Sequence, residues 1–308
     1  MGSSGLTVSR LALGTMTWGR GVDPGLAQDQ LRAFVGAGGD LVDTAYGYGD
    51  GAAEEILGGL VHDIGRDHLV LATKAGISRR TGERVVDTSR GTLLRQLDAS
   101  LQRLQTDHVD LWMVHTWSDE VPLEETLSSL EWAVQSGRAR YVGVSNYSGW
   151  QTARAATLLH QVRVPLVANE IEYSLLERTP EHELTGAAAA LGIGLLPWSP
   201  LGRGVLTGKY RSGVPADSRA ASTDFPGFTA RHLDERSSGI VEALVVAARG
   251  LGRSPAETAL AWVRDRPGVV APVVGARLTA HLRTALGTED LVLPAEIVTA
   301  LDEVSAPR

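Results

Sequence analysis

The chain has 308 residues, 43% of them hydrophobic and 21% charged, so it holds enough apolar material for a sizeable core, and neither global disorder nor a coiled coil fits. A formal charge of −7 supplies no electrostatic footprint for nucleic acid or an anionic membrane. The absence of cysteine excludes disulfides, thiolate catalysis and Cys-ligated zinc or iron–sulfur sites, so redox chemistry needs a bound cofactor.

At about 100–200 residues per domain, the length allows two small domains or one large one such as a β/α barrel. No run approaches the ~20 uninterrupted apolar residues that span a bilayer. The most apolar stretch, 187–198, is broken by Gly192, Gly194 and Pro197. The opening Met1-Gly2-Ser3-Ser4-Gly5 lacks the basic and apolar regions of a signal peptide, which predicts a cytoplasmic protein.

In chain order, β-branched or leucine-rich runs predict strands at 10–15, 39–44, 68–74, 109–115, 139–145, 166–171, 193–198 and 269–274. Amphipathic stretches between them predict helices at 25–37, 52–62, 88–104, 123–136, 150–159 and 181–191, with a pair at 237–249 and 255–264 and a last helix at 294–304. Asp87-Thr88-Ser89-Arg90 can cap the third helix. Ser254, Pro255 and Glu257 place a capping hydroxyl, a first-turn proline and an acid at the start of another. The stretch 201–234, rich in Gly, Ser, Pro and Arg, reads as a long functional loop.

Strict alternation of strand and helix implies parallel pairing, because a return to the same end of a sheet needs a crossover. Eight such units fit a closed barrel, one domain over residues 1–308. An open doubly wound sheet is the rival, and Gly47-Tyr48-Gly49-Asp50-Gly51-Ala52 supports it by matching the G-x-G-x-x-A dinucleotide pattern. The companion feature is missing, since the next strand ends in Thr73-Lys74 rather than in an acid for the ribose. The segment 202–209 likewise misses the P-loop spacing by one residue.

In a β/α barrel the active site forms at the C-terminal ends of the strands. Strands two, three and four end in Asp43, Lys74 and His115, and Tyr48 lies in the loop after strand two. Each alone has an ordinary reading: a helix cap, a rim aromatic, a core histidine. Together they converge on one rim. Of the 29 basic residues only Lys74 and Lys209 are lysines, so a lysine at a buried strand end points to a need for a compact ammonium, with Asp43 as its counter-ion. A tyrosine titrates at about 10, and an adjacent ammonium is expected to lower that value and make Tyr48 a usable general acid. His115 can donate a hydrogen bond to a substrate carbonyl. A hydride from a nicotinamide is the simplest source of electrons. The remaining histidines show no metal-ligand spacing, so no metal site is expected.

These residues sit in motifs that resemble the aldo-keto reductases, in the bacterial, potassium-channel β-subunit-like branch. The motifs are Leu11-Ala12-Leu13-Gly14-Thr15-Met16, Asp43-Thr44-Ala45-Tyr46-Gly47-Tyr48-Gly49, Ala72-Thr73-Lys74, Asp110-Leu111-Trp112-Met113-Val114-His115, Gly143-Val144-Ser145-Asn146 and Trp198-Ser199-Pro200-Leu201-Gly202. They follow in family order along nearly the whole chain. The resemblance implies an α/β fold, a (β/α)8 TIM barrel with a long loop after strand seven and an extra C-terminal helix, and a catalytic tetrad of Asp43, Tyr48, Lys74 and His115. It also implies NADP(H) in preference to NAD(H). Thr15 and Met16 would contact the cofactor, and Ser145, Asn146 and Glu170 the nicotinamide carboxamide, with Trp198 stacked on its ring. Ser199, Leu201, Gly202 and Lys209 would follow the pyrophosphate, and Gly275, Arg277 and His281 the adenosine, with Arg277 facing its 2′-phosphate.

Glu170 departs from the glutamine usual at its position, and His281 and Ala285 stand where relatives carry other adenosine contacts. Trp18, Trp117 and the loop with Phe225 and Phe228 are expected to wall the substrate pocket and to suit a mostly apolar carbonyl compound. The expected activity is NADPH-dependent reduction of an aldehyde or ketone to an alcohol. The alternatives are a nucleotide-sugar keto- or enoyl reductase of secondary metabolism and a non-catalytic nicotinamide-binding subunit, against which the lack of a long N-terminal extension counts. A Schiff-base aldolase using Lys74 is opposed by Asp43, which would keep the amine charged. The expected partner is a small-molecule carbonyl substrate, with no nucleic acid and no membrane.

Overall fold

Eight short runs pair side by side in the order in which they occur: β1 (Ala12–Gly14), β2 (Leu41–Asp43), β3 (Val70–Ala75), β4 (Val109–Val114), β5 (Ala139–Ser145), β6 (Leu166–Glu172), β7 (Gly194–Trp198) and β8 (Val273–Val274). All neighbours are parallel, and β8 returns to β1, so the sheet closes into a (β/α)8 barrel. The structure is a computed structural model that describes residues 1–78, 82–216, 218–221 and 227–307. Outside the strands lie α1 (Pro24–Gly36), α2 (Ala52–Ile64), α3 (Arg90–Leu104), α4 (Leu123–Gln135), α5 (Gly149–Gln161), α6 (Leu184–Leu191), α7 (Glu235–Gly250), α8 (Pro255–Arg264), α9 (Thr279–Leu286) and α10 (Ala295–Ser305).

Side chains along a strand alternate between two faces, so every second residue enters the barrel. Ala12, Leu41, Ala72, Leu111, Met113, Ala168 and Leu196 fill the interior, together with Met1 and Leu6. Gly2 backs onto Val167 and Gly194, so these first residues close the end from which the strands start. The outward set, including Leu13, Val42, Leu71 and Trp112, packs beneath the helices, where burial of each side chain stabilises by roughly 1.5–3 kcal/mol. Towards the other end the inward set turns polar, and that change of composition locates the site.

Local signals explain most boundaries. Ser254 accepts from the Glu257 N–H and Glu257 reaches back to the Ser254 N–H, with Pro255 in the first turn, so α8 opens on the expected capping box. The third helix opens differently: Ser89 makes no side-chain cap, and Asp87 instead accepts from the Ser89 N–H and the Thr92 hydroxyl. The eighth strand is shorter than expected because Pro272 has no N–H for the ladder, although its carbonyl still accepts from Ala12 at 3.0 Å. A helix and a two-stranded ribbon lie outside those expectations. α9 begins without a side-chain cap, and Ile77–Ser78 pairs antiparallel with Val85–Val86 over a span too short to show periodicity. Among the described residues no helix is long and apolar enough to cross a membrane, and no group of side chains could hold a metal ion.

Candidate active site

Past β2 the chain turns sharply through Tyr48–Gly51, where Gly49, Asp50 and Gly51 take φ of 59°, 57° and 108° in succession. That left-handed run is open to glycine and tolerated by aspartate, so the glycine pattern builds a tight turn into α2. Beneath the turn, Arg103 donates to the Tyr46 carbonyl at 3.2 Å and to the buried Glu54 carboxylate at 3.0 Å. A Cβ on Gly51 would meet the Arg103 guanidinium at 2.5 Å. Glu54 also accepts from Thr73 at 2.7 Å, which ties the turn to β3. Sequence reasoning missed this pair. Its one signal was a carboxylate on the buried stripe of α2, among Ala53, Leu57 and Val61.

Asp43 pairs in register with Ala72, and Lys74, two residues further along β3, points the same way. Lys74 Nζ donates to both Asp43 oxygens at 2.6 and 2.7 Å and to the Thr44 carbonyl at 3.0 Å. From β6, Glu170 Oε2 comes to 3.1 Å of the same nitrogen, within ion-pair distance but outside hydrogen-bond geometry. Lys74, Asp43 and Glu170 are 0%, 3% and 2% exposed. The Tyr48 ring lies 5.3 Å from Lys74 Nζ, and His115 stands edge-on to it with ring centroids 5.8 Å apart. The four strand-rim residues therefore meet at one place.

The electrostatics differ from expectation in one respect. Burial disfavours the Lys74 ammonium, but the Asp43 and Glu170 carboxylates outweigh it and hold the group charged well above its ordinary range. At Tyr48, loss of water raises the phenol pKa more than Lys74 lowers it, and Asp43 and Glu170 add to the rise. The phenol is therefore not made acidic in absolute terms. It keeps its proton at neutral pH, and Lys74 offsets part of the cost of giving that proton up. Burial, and then the Asp43 charge, push Glu170 up to about 8 against the opposing pull of Lys74.

Asp43, Tyr48, His115 and Glu170 form the floor of a cleft of about 1040 Å³, with Lys74 buried beneath them, at the upper end of the roughly 300–1,000 Å³ range of small-molecule sites. Met16, Ser145, Asn146, Trp198, Ser199, Leu201, Lys209, Gly275, Arg277 and His281 line its walls. Asn146, at φ 59°, accepts from the Trp198 indole at 3.0 Å and donates to the His115 carbonyl at 3.0 Å, which braces the ring. At another end of the cleft Arg277 and Lys209 stand close enough to His281 that their charges, after burial, depress its imidazole pKa. Gly204, at φ 93°, leaves room beside Lys209, where a Cβ would sit 3.5 Å from Nζ. Basic groups at one end, a braced indole in the wall and an orphaned Glu170 oxygen able to accept from an amide make up a donor set that fits a nicotinamide dinucleotide.

Other residues are placed differently from expectation. Thr15 is fully buried and donates its hydroxyl to the Asp43 carbonyl, and Gly202 backs against Leu176, so both lie behind the wall. Trp18 is a core residue: its ring is fully buried and its indole donates to Gln30 at 3.0 Å. Trp117 packs edge-on to Tyr147 and Trp150 and donates to Asp119, away from the cleft. Phe225 lies outside the described residues, while Phe228 lines the cleft.

A second ion network fastens the long loop. Glu172, at the end of β6, takes a bidentate bond from Arg203 at 2.7 Å to each oxygen, and Arg231 and His232 reach it at 3.2 and 3.4 Å. Arg203 also donates to the Phe228 carbonyl at 2.6 Å and lies over both the Trp198 and Phe228 rings. The cue in the sequence was a carboxylate two residues past Glu170 on the same face of the strand.

The model of the Aldo/keto reductase family matches residues 10–306. The chain is 35% identical to an uncharacterized oxidoreductase, YrpG, of Bacillus subtilis, covering 99% of this chain and 94% of the relative. It is 36% identical to an L-glyceraldehyde 3-phosphate reductase of Escherichia coli over 91% of this chain and 84% of the relative. It is also 34% identical to a probable voltage-gated potassium channel subunit beta of rice, with 99% and 95% covered. The protein is an oxidoreductase, and it belongs to the aldo/keto reductase family.

Proposed function

We propose that the protein is a cytoplasmic NADPH-dependent reductase of aldehydes or ketones in which Tyr48 protonates the carbonyl oxygen. The observation that carries this reading is a buried Lys74–Asp43 pair beside Tyr48, at the base of a cleft that Asp43 and Tyr48 line and that has basic side chains on its wall. When bound, the nicotinamide supplies the hydride. Tyr48 gives its proton to the substrate oxygen, and the Lys74 ammonium stabilises the phenolate left behind. His115 donates to the same oxygen and stabilises the charge that develops there. Ser145, Asn146 and Glu170 hold the carboxamide, and the braced Trp198 stacks on the ring. Lys209 and Arg277 take the phosphates, which supports NADP(H) over NAD(H).

With Trp18 in the core and Trp117 elsewhere, the support for an apolar substrate weakens. Arg20 passes within 4.0 Å of where a Gly49 Cβ would be, and it pairs with Asp50 at 2.8 Å. Ile77 packs on the other flank of the turn, 3.0 Å from a Cβ placed on Gly47, and Arg84 adjoins the strand partner of that segment. Both arginines line the cleft, so a carbonyl compound with an anionic group suits it better. The name of the Escherichia coli relative agrees with that chemistry.

The test is NADPH oxidation with matched substrates: glyceraldehyde 3-phosphate, glyceraldehyde and a keto-sugar nucleotide. Turnover with the first above the second is expected. Preference for the keto-sugar nucleotide would favour the secondary-metabolism reading. Cofactor binding without turnover of any carbonyl would favour a regulatory subunit.

A further inference from the structure

We infer that Glu170 is a positioning residue that governs proton release from Tyr48 by placing or withholding a second negative charge against Lys74. The inference rests on Tyr48 being the proton donor.

The three N–H bonds of the Lys74 ammonium are already spent on Asp43 Oδ1, Asp43 Oδ2 and the Thr44 carbonyl. Glu170 Oε2, 3.1 Å away, arrives with no donor aimed at it. One ammonium balances one carboxylate. A second ionised carboxylate in the same buried space would leave the floor with a net negative charge, which low-dielectric surroundings make costly. Glu170 therefore carries its proton at neutral pH and loses it at about 8.

The titratable and charged groups facing it are Asp43 from β2, Tyr48 from the turn and Lys74 from β3, and His115, just past β4, lines the same cleft. Among the described residues, β5 and β7 present the uncharged Ser145 and Trp198 to the cleft, with Asn146 just past β5. While Glu170 is neutral, the Asp43 and Lys74 charges cancel, and a phenolate at Tyr48 forms against a balanced floor. Once Glu170 ionises, the same phenolate forms against an uncompensated anion, and Tyr48 holds its proton more tightly. Reduction should then fade in step with Glu170 ionisation and not with that of Tyr48 itself.

The test compares carbonyl reduction at pH 7 and pH 9.5 within each of wild type, Glu170→Gln and Glu170→Met. The second readout is a tyrosinate absorbance titration without cofactor, with Tyr48→Phe as the blank. For wild type the rate should fall by about tenfold or more between the two pH values, and for both variants by less than about threefold. The Tyr48 titration should move to lower pH in both variants. Identical pH ratios and an unmoved Tyr48 titration in all three proteins would overturn the inference. Reduction by Tyr48→Phe at the wild-type rate would instead overturn the functional reading. The absorbance titration still decides the Glu170 question in that case.

Discussion

The floor and the far lip of the cleft are built on opposite principles. On the floor, Asp43, Lys74 and Glu170 stand on three strands, are almost fully buried and approach to between 2.6 and 3.1 Å. On the lip, Lys209 and His281 are exposed and Arg277 half-buried, carried on the segments that follow β7 and β8. Charges on the floor act at low dielectric and cannot relax, whereas charges on the lip are softened by water and salt. On the proposed reading, proton chemistry falls to the buried part and ligand retention to the water-exposed part.

Removing the cation from the floor should do the most damage. Lys74→Met leaves the Asp43 carboxylate unpaired beside Glu170 without water, and breaking a buried pair in this way costs about 3–5 kcal/mol. Thermal unfolding should record that loss, and carbonyl reduction should fall by ~10³ or more. A variant of wild-type stability would show that the floor is wetter than its geometry indicates.

The matching change on the lip should act on binding. Arg277→Met is expected to weaken NADPH binding by about tenfold, equivalent to ~1.4 kcal/mol, while kcat falls far less. The loss should shrink as salt is raised. A Kd ratio that ignores ionic strength would contradict the division between the two regions.

Stability against pH sharpens the same comparison. The folded state raises Glu170 from its ordinary 4.5 to about 8, so the stability associated with its proton is complete below the unfolded value and is lost as pH climbs through the folded one. Glu170→Gln removes that loss. The variant should gain on wild type between these pH values, by roughly ten degrees or more in Tm at about 1.4 kcal/mol per pH unit and about 2–4 °C per kcal/mol, and the gap should then level off. A gap that is constant from pH 4 to pH 9 would argue against a buried proton at this position.

The smallest effect is expected at Trp117. Trp117→Phe removes a hydrogen bond to Asp119, worth about 1 kcal/mol, and should leave the substrate KM within about twofold. A large rise in KM would return this indole to the pocket.

The barrel was legible because its period is local: short apolar runs alternate with amphipathic stretches, and each strand end marks where inward residues become polar. Asp43, Lys74 and His115 could be read from that rule, and the scarcity of lysine singled out Lys74. What stayed hidden depends on direction and depth. Trp18 adjoins a strand end, yet its ring turns to Gln30. Arg103 and Arg203 find Glu54 and Glu172 across 49 and 31 residues, separations at which no spacing rule operates. The net rise at Tyr48 follows from the protein packed around its phenol and the carboxylates beside it, which a motif does not encode.

The central claim is that Tyr48, beside a buried ammonium, delivers the proton. Single-turnover reduction by Tyr48→Phe, with NADPH affinity measured calorimetrically on the same preparation, tests it most directly. The account predicts hydride transfer slowed by about 10²–10⁴ with the NADPH Kd changed by less than about twofold, whereas transfer at the wild-type rate would contradict it.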